Sequence, residues 1–500
     1  MKDSIKNLIE EKKRAKVSLL QIITYEEDTV KRIVEQVFMQ EYEIIHYDML
    51  EGFDVPIKET EAQDFSLTIN KWMYELSFKN TVLVISNSNR LFSDYRVEVS
   101  LKKLLELDNP NMVSKPIMVI LISDTNILPA GLGRLSTTIE IPYMKRSECV
   151  EYVKCLFRRT FGKNKFSKNF QNSAAECCLG LTRAQTKMNI LESCYLGKDE
   201  EDILLHLRKL KVKALNQTGL ISIEEVVEKN NLGGYDRLKT WVSDAKKILD
   251  VTNNGDGMRQ ILFPKGMLLV GVTGCGKSLC AKVSASVLGL PLLRIDFGNL
   301  MNKYVGETEK NLSNALQIAE AISPCVLWLD EFEKAFSSNN DSSGVSQRML
   351  GKFLTWMQEH QAMIFTIATV NNVSKLPAEL LRRGRFDKIY YVDLPNNNER
   401  KEIVKIHSEK LQIDISQKEI VTISSEMEGG GYSGADIEYI LKEAKRKILV
   451  DGKDNVVKTI TTCIKETNSI SKIMPVEIQS MRDEFKARGF ENVNAAISRR

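Results

Sequence analysis

The sequence predicts an α/β protein in which a parallel sheet has helices on both faces and is followed by a purely helical segment. From about residue 258, short continuous apolar runs alternate with helix-length amphipathic segments. Such strands, separated by helices, are typical of a parallel sheet buried on both sides. Residues 398–470 show helical periodicity alone. The first 150 residues repeat the alternation more faintly, which predicts a second α/β unit ahead of the first.

Each apolar run after residue 258 is followed by a segment with helical spacing, so each pair predicts one strand and one helix. The pairs are KGMLLVGV with 277–289, PLLRIDF with 309–322, CVLWLDE with 345–360, MIFTIATV with 378–383 and KIYYVDLP with 398–411.

The N-terminal runs VSLLQIITY, NTVLVISNSN, KPIMVILISDTN and STTIEIP predict the strands of the preceding unit. Aligning VLVISN (82–87) with VLWLDE (326–331), and 117–132 with 364–380, keeps the strand order and similar separations. This agreement indicates an internal duplication. The alternative is that apolar strands resemble one another in any α/β protein.

Composition excludes several classes of protein. The 500 residues predict about three domains, and the net charge of +4 comes from interleaved basic and acidic residues, which argues against a dedicated nucleic-acid binder. The sequence contains neither a secretory signal nor an apolar run of about 18 residues, so we expect a soluble intracellular protein. Its nine cysteines include no C-x-x-C pair and are expected to be reduced, and its four histidines form no H-E-x-x-H zinc motif.

The stretch GVTGCGKS (271–278) follows a predicted strand and opens a predicted helix, which is the context that a phosphate-binding loop requires. Its glycines allow backbone N–H groups to surround a phosphate chain, and the helix start adds its dipole. Lys277 would contact the β- and γ-phosphates, and the hydroxyl of Ser278 would bind Mg²⁺. The alternative is a tight strand-to-helix turn without a ligand. The predicted nucleotide-binding residues are Gly271, Val272, Thr273, Gly274, Cys275, Gly276, Lys277, Ser278, Leu279 and Asp330.

The predicted strand CVLWLDE runs directly into two carboxylates. Asp330 is expected to hold Mg²⁺, and Glu331 to polarise the water that attacks the γ-phosphate. An Asp-Glu pair after a strand is common on protein surfaces, but its combination with the phosphate loop indicates a catalytic site. In the N-terminal alignment, Ser86 and Asn87 stand at these two positions, so that half is expected not to hydrolyse ATP. Its expected role is to hold subunits together or to receive a partner.

Six segments, taken in their order along the chain, resemble the motifs of the AAA+ ATPases, and specifically of their substrate-threading branch. They are LGGYDRLKTWV (232–242), GVTGCGKS as Walker A, CVLWLDEFEKAF as Walker B, IATVNN as sensor 1, LLRRGRFD as the arginine-finger segment and GYSGADIEYILKEA as the lid helix near sensor 2. The resemblance covers about 240 residues. It implies a P-loop NTPase sheet with a small helical lid, preceded by a degenerate AAA-like α/β domain.

The resemblance also implies residue roles. Asn371 would position water against the γ-phosphate, with Asn372 as a weaker alternative, and Arg382 and Arg385 would reach the nucleotide of the neighbouring subunit. Gly434 and Ala435 belong to the lid, where Ala435 stands at the position that other branches fill with a sensor-2 arginine. Walker A departs from the common pattern at three positions, Val272, Thr273 and Cys275.

The loop that contains KYVGE (303–307) falls where the threading branch lines the channel of its ring. A flat aromatic ring on such a loop can grip an extended polypeptide by burying area, without requiring a particular sequence. Lys303, Tyr304 and Val305 are therefore the predicted pore-loop residues. The alternative is that Tyr304 packs on its own subunit.

Nearly the whole chain resembles the uncharacterised AAA ATPases of plastid and cyanobacterial type. The resemblance implies ATP and Mg²⁺ as cofactors, a homo-hexameric ring and a protein client in the cytoplasm or plastid stroma, without membrane or nucleic-acid partners. Two other functions stay open, a nucleic-acid remodeller and a nucleotide-switched scaffold. The expected domains are 1–150 (degenerate α/β), 151–220 (helical lid or linker), 221–397 (large ATPase subdomain) and 398–500 (small helical lid, with a solvated, partly helical tail).

Overall fold

The structure is a computed structural model, in which the chain forms two compact units, Met1–Lys211 and Val212–Arg500. It describes residues 2–48, 52–54, 64–76, 80–86, 88–106, 117–162, 165–217, 219–228, 231–251, 263–297, 307–336, 345–382, 384–451 and 455–493.

The first unit is built on a six-stranded sheet. Its strands are β1 (Leu19–Thr24), β2 (Glu43–Asp48), β3 (Gly52–Phe53), β4 (Thr81–Ser86), β5 (Ile117–Ser123) and β6 (Ser136–Ile141). They lie in the order β3-β2-β4-β5-β1-β6, and every adjacent pair is parallel except β2 with β3. All side chains of β4 are buried, as the continuous apolar run predicts for a strand covered on both faces.

Helices cover this sheet and then continue alone after β6. They are α1 (Lys2–Arg14), α2 (Glu27–Phe38), α3 (Phe65–Leu76), α4 (Tyr95–Glu106), α5 (Ala130–Gly133), α6 (Arg146–Phe161), α7 (Lys168–Cys178), α8 (Arg183–Leu196) and α9 (Glu200–Gln217). The division between the two units falls within α9. Helix α8 begins with a capping box, in which Thr182 accepts from the backbone N–H of Gln185 and the Gln185 side chain accepts from Thr182 N.

The second unit contains a seven-stranded sheet. Its strands are β7 (Ser222–Glu224), β8 (Gly266–Gly271), β9 (Leu292–Asp296), β10 (Cys325–Asp330), β11 (Ile364–Val370), β12 (Lys388–Val392) and β13 (Glu491–Asn492). The order is β13-β12-β8-β11-β10-β9-β7, and only β7 with β9 is antiparallel.

Helices lie on this sheet, and four of those that follow β12 form a small bundle that we call the lid. The helices before the lid are α10 (Asp236–Val251), α11 (Lys277–Leu288), α12 (Glu307–Ile322) and α13 (Val345–Glu359). The lid consists of α14 (Asn397–Lys410), α15 (Gln417–Glu426), α16 (Gly434–Asp451) and α17 (Val456–Glu466), and α18 (Ile470–Ile473) and α19 (Pro475–Arg488) follow it. The lid has its own apolar core, to which Ile420, Ile437 and Ile460 belong.

The two units share one strand order. When the two-residue strand β13 is set aside and the five remaining parallel strands of each unit are numbered along the chain, both sheets read 2-3-4-1-5: β2-β4-β5-β1-β6 in the first unit and β9-β10-β11-β8-β12 in the second. In both, the fifth strand leads into helices alone, α6–α9 in one case and the lid in the other. The expected α/β fold with an AAA-like N-terminal unit is confirmed, and the two aligned segment pairs fall on equivalent strands, β4 with β10 and β5 with β11.

Some elements differ from those expected. The short strands β3, β7 and β13 were not expected, and residues 378–381 form a 3-10 turn rather than an α-helix. Helix α19, expected as part of a solvated tail, packs on β12 instead: Phe485 stacks on Tyr391 with ring centroids 4.1 Å apart, and Arg482 forms a two-pronged ion pair with Asp393. Strand β13 then extends the sheet beside β12.

All nine cysteines lie in described segments and carry free thiols, as expected. Seven are buried, and Cys155 and Cys194 are partly exposed. Among the described helices, none combines the length and the apolar character that crossing a bilayer requires.

A candidate nucleotide site between the sheet and the lid

A cavity of about 490 Å³ opens within the second unit, between the carboxyl ends of its central strands and the lid. Ligands of open α/β sheets bind at this edge, because loops and helix N-termini converge there. Twelve of the predicted site residues line the cavity: Thr273, Gly274, Cys275, Gly276, Lys277, Ser278, Leu279, Asp330, Glu331, Asn371, Gly434 and Ala435.

The phosphate loop connects β8 to α11. Glycine at two of its positions leaves room for a ligand and also avoids close contacts with neighbouring protein atoms. Gly271 has φ +154°, and a Cβ atom there would lie 2.0 Å from the carbonyl oxygen of Val392 on β12. Gly274 has φ +80°, and its Cβ would lie 3.0 Å from Ser433 Oγ and 3.1 Å from Ala435 Cβ at the start of α16. A side chain at Gly271 would therefore overlap the backbone of β12, and one at Gly274 would press on the lid in addition to straining the left-handed backbone.

Lys277 is the first residue of α11 and is buried, with 8% of its surface exposed. Its Nζ donates to the carbonyl oxygens of Gly271 (2.8 Å) and Val272 (3.0 Å). Gly271 and Val272, which were predicted to bind nucleotide, therefore contact the lysine and are not part of the cavity lining. Burial lowers the pKa of Lys277 to about 8, because desolvation disfavours the ammonium form. The loop thus holds a preformed cation at the helix N-terminus.

Asp330 ends β10 with both carboxylate oxygens engaged. Oδ1 accepts from Thr369 Oγ1 at 2.9 Å, and Oδ2 accepts from Arg294 Nη2 at 2.7 Å. Arg294 stands on β9 with its guanidinium 5.0 Å from the ring centroid of Trp328 and its Nη1 3.7 Å from Glu224. Arg294 could not be recognised from the sequence, because its partners Asp330 and Trp328 lie on β10 and Glu224 lies on β7, all distant from it along the chain.

Glu331 directly follows β10 in a left-handed conformation, with φ +49°. This conformation is uncommon outside glycine and marks functional turns in many proteins. The carboxylate pairs with Lys334 in the 3-10 turn that follows. Asn371, directly after β11, donates its backbone N–H to Glu333 (3.0 Å), and its side-chain oxygen lies 3.4 Å from Thr273 Oγ1. The two strand ends and the phosphate loop are thereby joined.

Tyr235, in the segment that precedes α10, is buried against the phosphate loop, and its hydroxyl donates to the carbonyl oxygen of Cys275. Its backbone is also left-handed, with φ +65°. Burial raises the pKa of Tyr235 well above its usual range, so the hydroxyl keeps its proton. The GGYD stretch around it could have indicated this role, because two glycines before a tyrosine mark a sharp turn.

The lid touches the phosphate loop at the N-terminus of α16. The backbone N–H of Ala435 donates to Gly274 O at 3.0 Å. Ser433 and Asp436 cap the helix, since Ser433 N donates to Asp436 Oδ2 at 2.8 Å and Asp436 N donates to Ser433 Oγ at 3.2 Å. Further lid residues missed by the sequence analysis line the same cavity, namely Ile403, Ile406, His407, Lys410 and Glu438.

The predicted arginine fingers are not part of this cavity lining. Arg382 is exposed at the end of the 3-10 turn 378–381. Arg385 is half-buried and donates to Leu354 O at 3.3 Å. The predicted pore-loop residues Lys303, Tyr304 and Val305 lie outside the described residues, as does Asn87 of the first unit.

Comparison with known proteins agrees with this geometry. Residues 267–394 match the model of the ATPase family associated with various cellular activities (AAA), and residues 1–141 match that of the SpoVK-like AAA ATPase N-terminal domain. The FIGL-1 AAA domain in complex with ADP aligns with 55% of this chain and 96% of its own, at 22% identity and a TM-score of 0.45.

The fold and the site together define an AAA ATPase, an enzyme that hydrolyses ATP. An uncharacterised AAA domain-containing protein ycf46 of Trieres chinensis is 30% identical over 474 residues, which cover 92% of each chain. The ycf46 protein of Guillardia theta is 29% identical over 480 residues, 94% of this chain and 91% of its own. The chain belongs to this ycf46 family of AAA domain-containing proteins.

Proposed function

We propose that the chain is a ring-forming motor that couples ATP hydrolysis in its second unit to the movement of a protein client. The observation that carries the proposal is the position of the two arginines. Lys277, Asp330, Glu331 and Asn371 belong to one cavity, whereas Arg382 stands exposed outside its lining. We infer that Arg382 of a neighbouring copy adds a second cation to the transferred phosphoryl group beside Lys277, which would tie hydrolysis to assembly.

Magnesium fits the donor set of the cavity. The Ser278 hydroxyl and the Asp330 carboxylate both line it, and Mg²⁺ prefers such oxygen ligands together with phosphate oxygens. The ion would neutralise charge that develops on the β- and γ-phosphates. Thr369 and Arg294 fix the orientation of the Asp330 carboxylate through two hydrogen bonds.

Hydrolysis follows from the remaining groups. Water attacks the γ-phosphorus, Glu331 accepts a proton from that water, and the bond to the β-phosphate oxygen breaks to release ADP and phosphate. Lys277 holds the phosphates by charge, and Asn371 orients the water. Loss of the γ-phosphate removes contacts on which the lid position depends, because Gly274 and Ala435 join the phosphate loop to α16.

From Tyr304, the aromatic residue that follows β9 in the sequence, we infer that the client is a polypeptide. Tyr304 follows the strand by a few positions, so a shift of β9 relative to the neighbouring copy would carry its ring along a bound polypeptide. An aromatic ring binds an extended chain mainly by area burial, which does not depend on the sequence of the client.

Complementation between two inactive variants tests the assembly. Lys277→Ala chains lose nucleotide binding but keep their arginines, and Arg382→Ala/Arg385→Ala chains keep the cavity but lose the arginines. Mixed together, they should hydrolyse ATP faster than the sum of the separate samples, because one chain completes the site of the other. Arg446→Ala, at a lid arginine with 71% exposure, is the matched control and should leave the rate unchanged. A mixture that equals the sum at every ratio would refute the proposal.

Stimulation of ATPase activity identifies the client class. Unfolded protein should raise the rate of the wild-type chain and of Tyr304→Phe, but not that of Tyr304→Ala, because the ring and not the hydroxyl supplies the contact. Stimulation by single-stranded DNA, with a steep salt dependence, would favour the nucleic-acid remodeller instead. Nucleotide binding without turnover would favour the scaffold.

A further inference from the structure

The first unit contains a counterpart of the nucleotide site. Strand β1 is the central strand equivalent to β8, and α2 is the helix equivalent to α11, since each pair of strands occupies the same place in the 2-3-4-1-5 order. In the second unit the connection is the glycine-rich segment 272–276. In the first unit only Tyr25 and Glu26 separate β1 from α2.

The charge at this connection is reversed. Helix α11 begins with Lys277 and Ser278 after Gly276 at the N-cap position, whereas α2 begins with Glu27 and Asp28 after Glu26 at that position. Three carboxylates at that position repel a phosphate chain, and a two-residue connection without glycine offers no cradle of N–H groups.

A side chain of the first unit takes the anion's position. The Glu26 carboxylate accepts the backbone N–H of Arg183 at 2.7 Å, and its other oxygen lies 3.5 Å from Arg183 Nη1. Arg183 is the first residue of α8, so an anion occupies the N-terminus of that helix. The two residues are 157 positions apart in the chain.

The pair is buried and supported on several sides. The side chains of Glu26 and Arg183 are 3% and 10% exposed. Thr29 Oγ1 lies 3.3 Å from Glu26 Oε2, and the hydroxyl of Tyr152 on α6 donates to Arg183 O at 3.2 Å. Burial raises the pKa of the Glu26 carboxyl, and the Arg183 guanidinium opposes that rise. A buried charge of this kind is costly unless it is paired.

The second unit has an equivalent contact without the charge. Its helix α16 is the third helix after the fifth strand, as α8 is in the first unit, and both begin with a capping box. The N-terminus of α16 contacts the phosphate loop through backbone groups, and Ala435 N donates to Gly274 O. The Glu26–Arg183 ion pair of the first unit thus connects the loop after β1 to the start of α8. In the second unit the equivalent positions are the loop after β8 and the start of α16.

We propose that the Glu26 carboxylate takes the place of a nucleotide phosphate in the first unit and, through Arg183, fixes helices α6–α9 on the sheet. This unit then binds no nucleotide and stays closed while the second unit turns over ATP. The proposal does not depend on ring assembly or on a protein client.

Chemical rescue tests it in the full chain. Glu26→Ala removes a fragment with the size and charge of acetate and leaves Arg183 without its carboxylate. Amide hydrogen exchange of residues 183–190 should become about 100-fold faster, because breaking one side of a buried pair is strongly destabilising. Acetate, compared with chloride at equal ionic strength, should restore slow exchange. It should have no effect on Glu26→Ala/Arg183→Met, which has no cation to bind it.

Two further measurements keep the proposal open to refutation if Glu26→Ala fails to fold. The uncharged double variant Glu26→Gln/Arg183→Met keeps similar volumes and should fold, since replacing both charges together is tolerated better than removing one. Equilibrium dialysis with labelled ATP should find one nucleotide per wild-type chain and none per Lys277→Ala chain. The inference would be overturned if amide exchange of residues 183–190 were unchanged in Glu26→Ala, or if acetate slowed exchange in Glu26→Ala/Arg183→Met. It would also be overturned if Lys277→Ala bound a nucleotide that protected residues 24–30 from exchange.

Discussion

Glu399, near the start of the first lid helix, makes the stability of the lid depend on pH. It is 7% exposed, and it closes the capping box of α14, in which Asn396 N donates to Glu399 Oε2 at 2.8 Å. Burial is the main reason that its pKa rises from the ordinary 4.5 to about 7, and the nearby carboxylates of Glu402, Asp236 and Asp393 add to the rise.

The sign of the effect follows from proton binding. Between pH 4.5 and about 7 the folded lid binds this proton more tightly than the unfolded chain, so stability falls as the pH rises through that window and levels off above it. A shift of this size corresponds to at most ~3 kcal/mol, and remaining solvent access reduces the expected effect to about 1–3 kcal/mol. Glu399→Gln keeps an acceptor for the capping box but carries no charge. At pH 8 it should therefore stabilise the lid, and at pH 5 it should have little effect.

Hydrogen exchange of residues 397–466 measures this directly as the ratio of variant to wild-type rates at one pH. We expect the lid amides of Glu399→Gln to exchange roughly 5- to 150-fold more slowly at pH 8, the factor that corresponds to about 1–3 kcal/mol. Glu419→Gln is the matched control, because Glu419 closes the capping box of α15 at a partly exposed position and the hydrogen bonds from Ser416 lower its pKa. It should give no such protection. Equal ratios for Glu399→Gln at pH 5 and pH 8 would refute the reasoning.

Three further predictions concern the nucleotide site. Glu331→Gln should lower ATP turnover by about 10²–10⁴-fold while nucleotide binding persists, measured by phosphate release and by dialysis, because only the proton acceptor is lost. Gly274→Ala should weaken ATP binding at least about 10-fold, because the new Cβ would contact the lid. Gly289→Ala is the control: its backbone is also left-handed (φ +70°), but no atom lies within 4 Å of the new Cβ, so this variant should bind ATP as the wild type does. Arg294→Met should destabilise the second unit by about 1–3 kcal/mol in denaturant unfolding, because Asp330 loses a charged hydrogen bond.

The parts of the molecule that could be predicted are those that neighbouring residues determine. The phosphate loop was readable because a strand, a glycine-rich turn and a Lys-Ser pair follow one another within about fifteen residues, and the strand that ends in Asp330 is a continuous apolar run. Strand β13 was not readable, since a strand of two residues shows no period and forms only because β12 offers it a free edge.

Side-chain pairs that connect distant segments could not be predicted either. Arg294 and Asp330 meet because β9 and β10 are adjacent in the sheet, and the contact of Tyr235 with Cys275 depends on a left-handed turn before α10. The same limit applies to the first unit, where Glu26 and Arg183 look like ordinary surface charges until the fold places the start of α8 against the end of β1.

The proposed difference between the two units is that the second responds to nucleotide and the first ignores it. Both bring a helix N-terminus to the loop after the first strand, the start of α8 to Glu26 and the start of α16 to Gly274. In the second unit Lys277 stands beside this place, and the proposed anion is a ligand that hydrolysis changes, so the energy of the lid position can differ between ligand states. In the first unit the anion is Glu26, which is covalently part of the chain and cannot leave. A helical bundle moves only when its energy differs between ligand states. Because the charge of Glu26 is always present, helices α6–α9 stay in one position on the sheet.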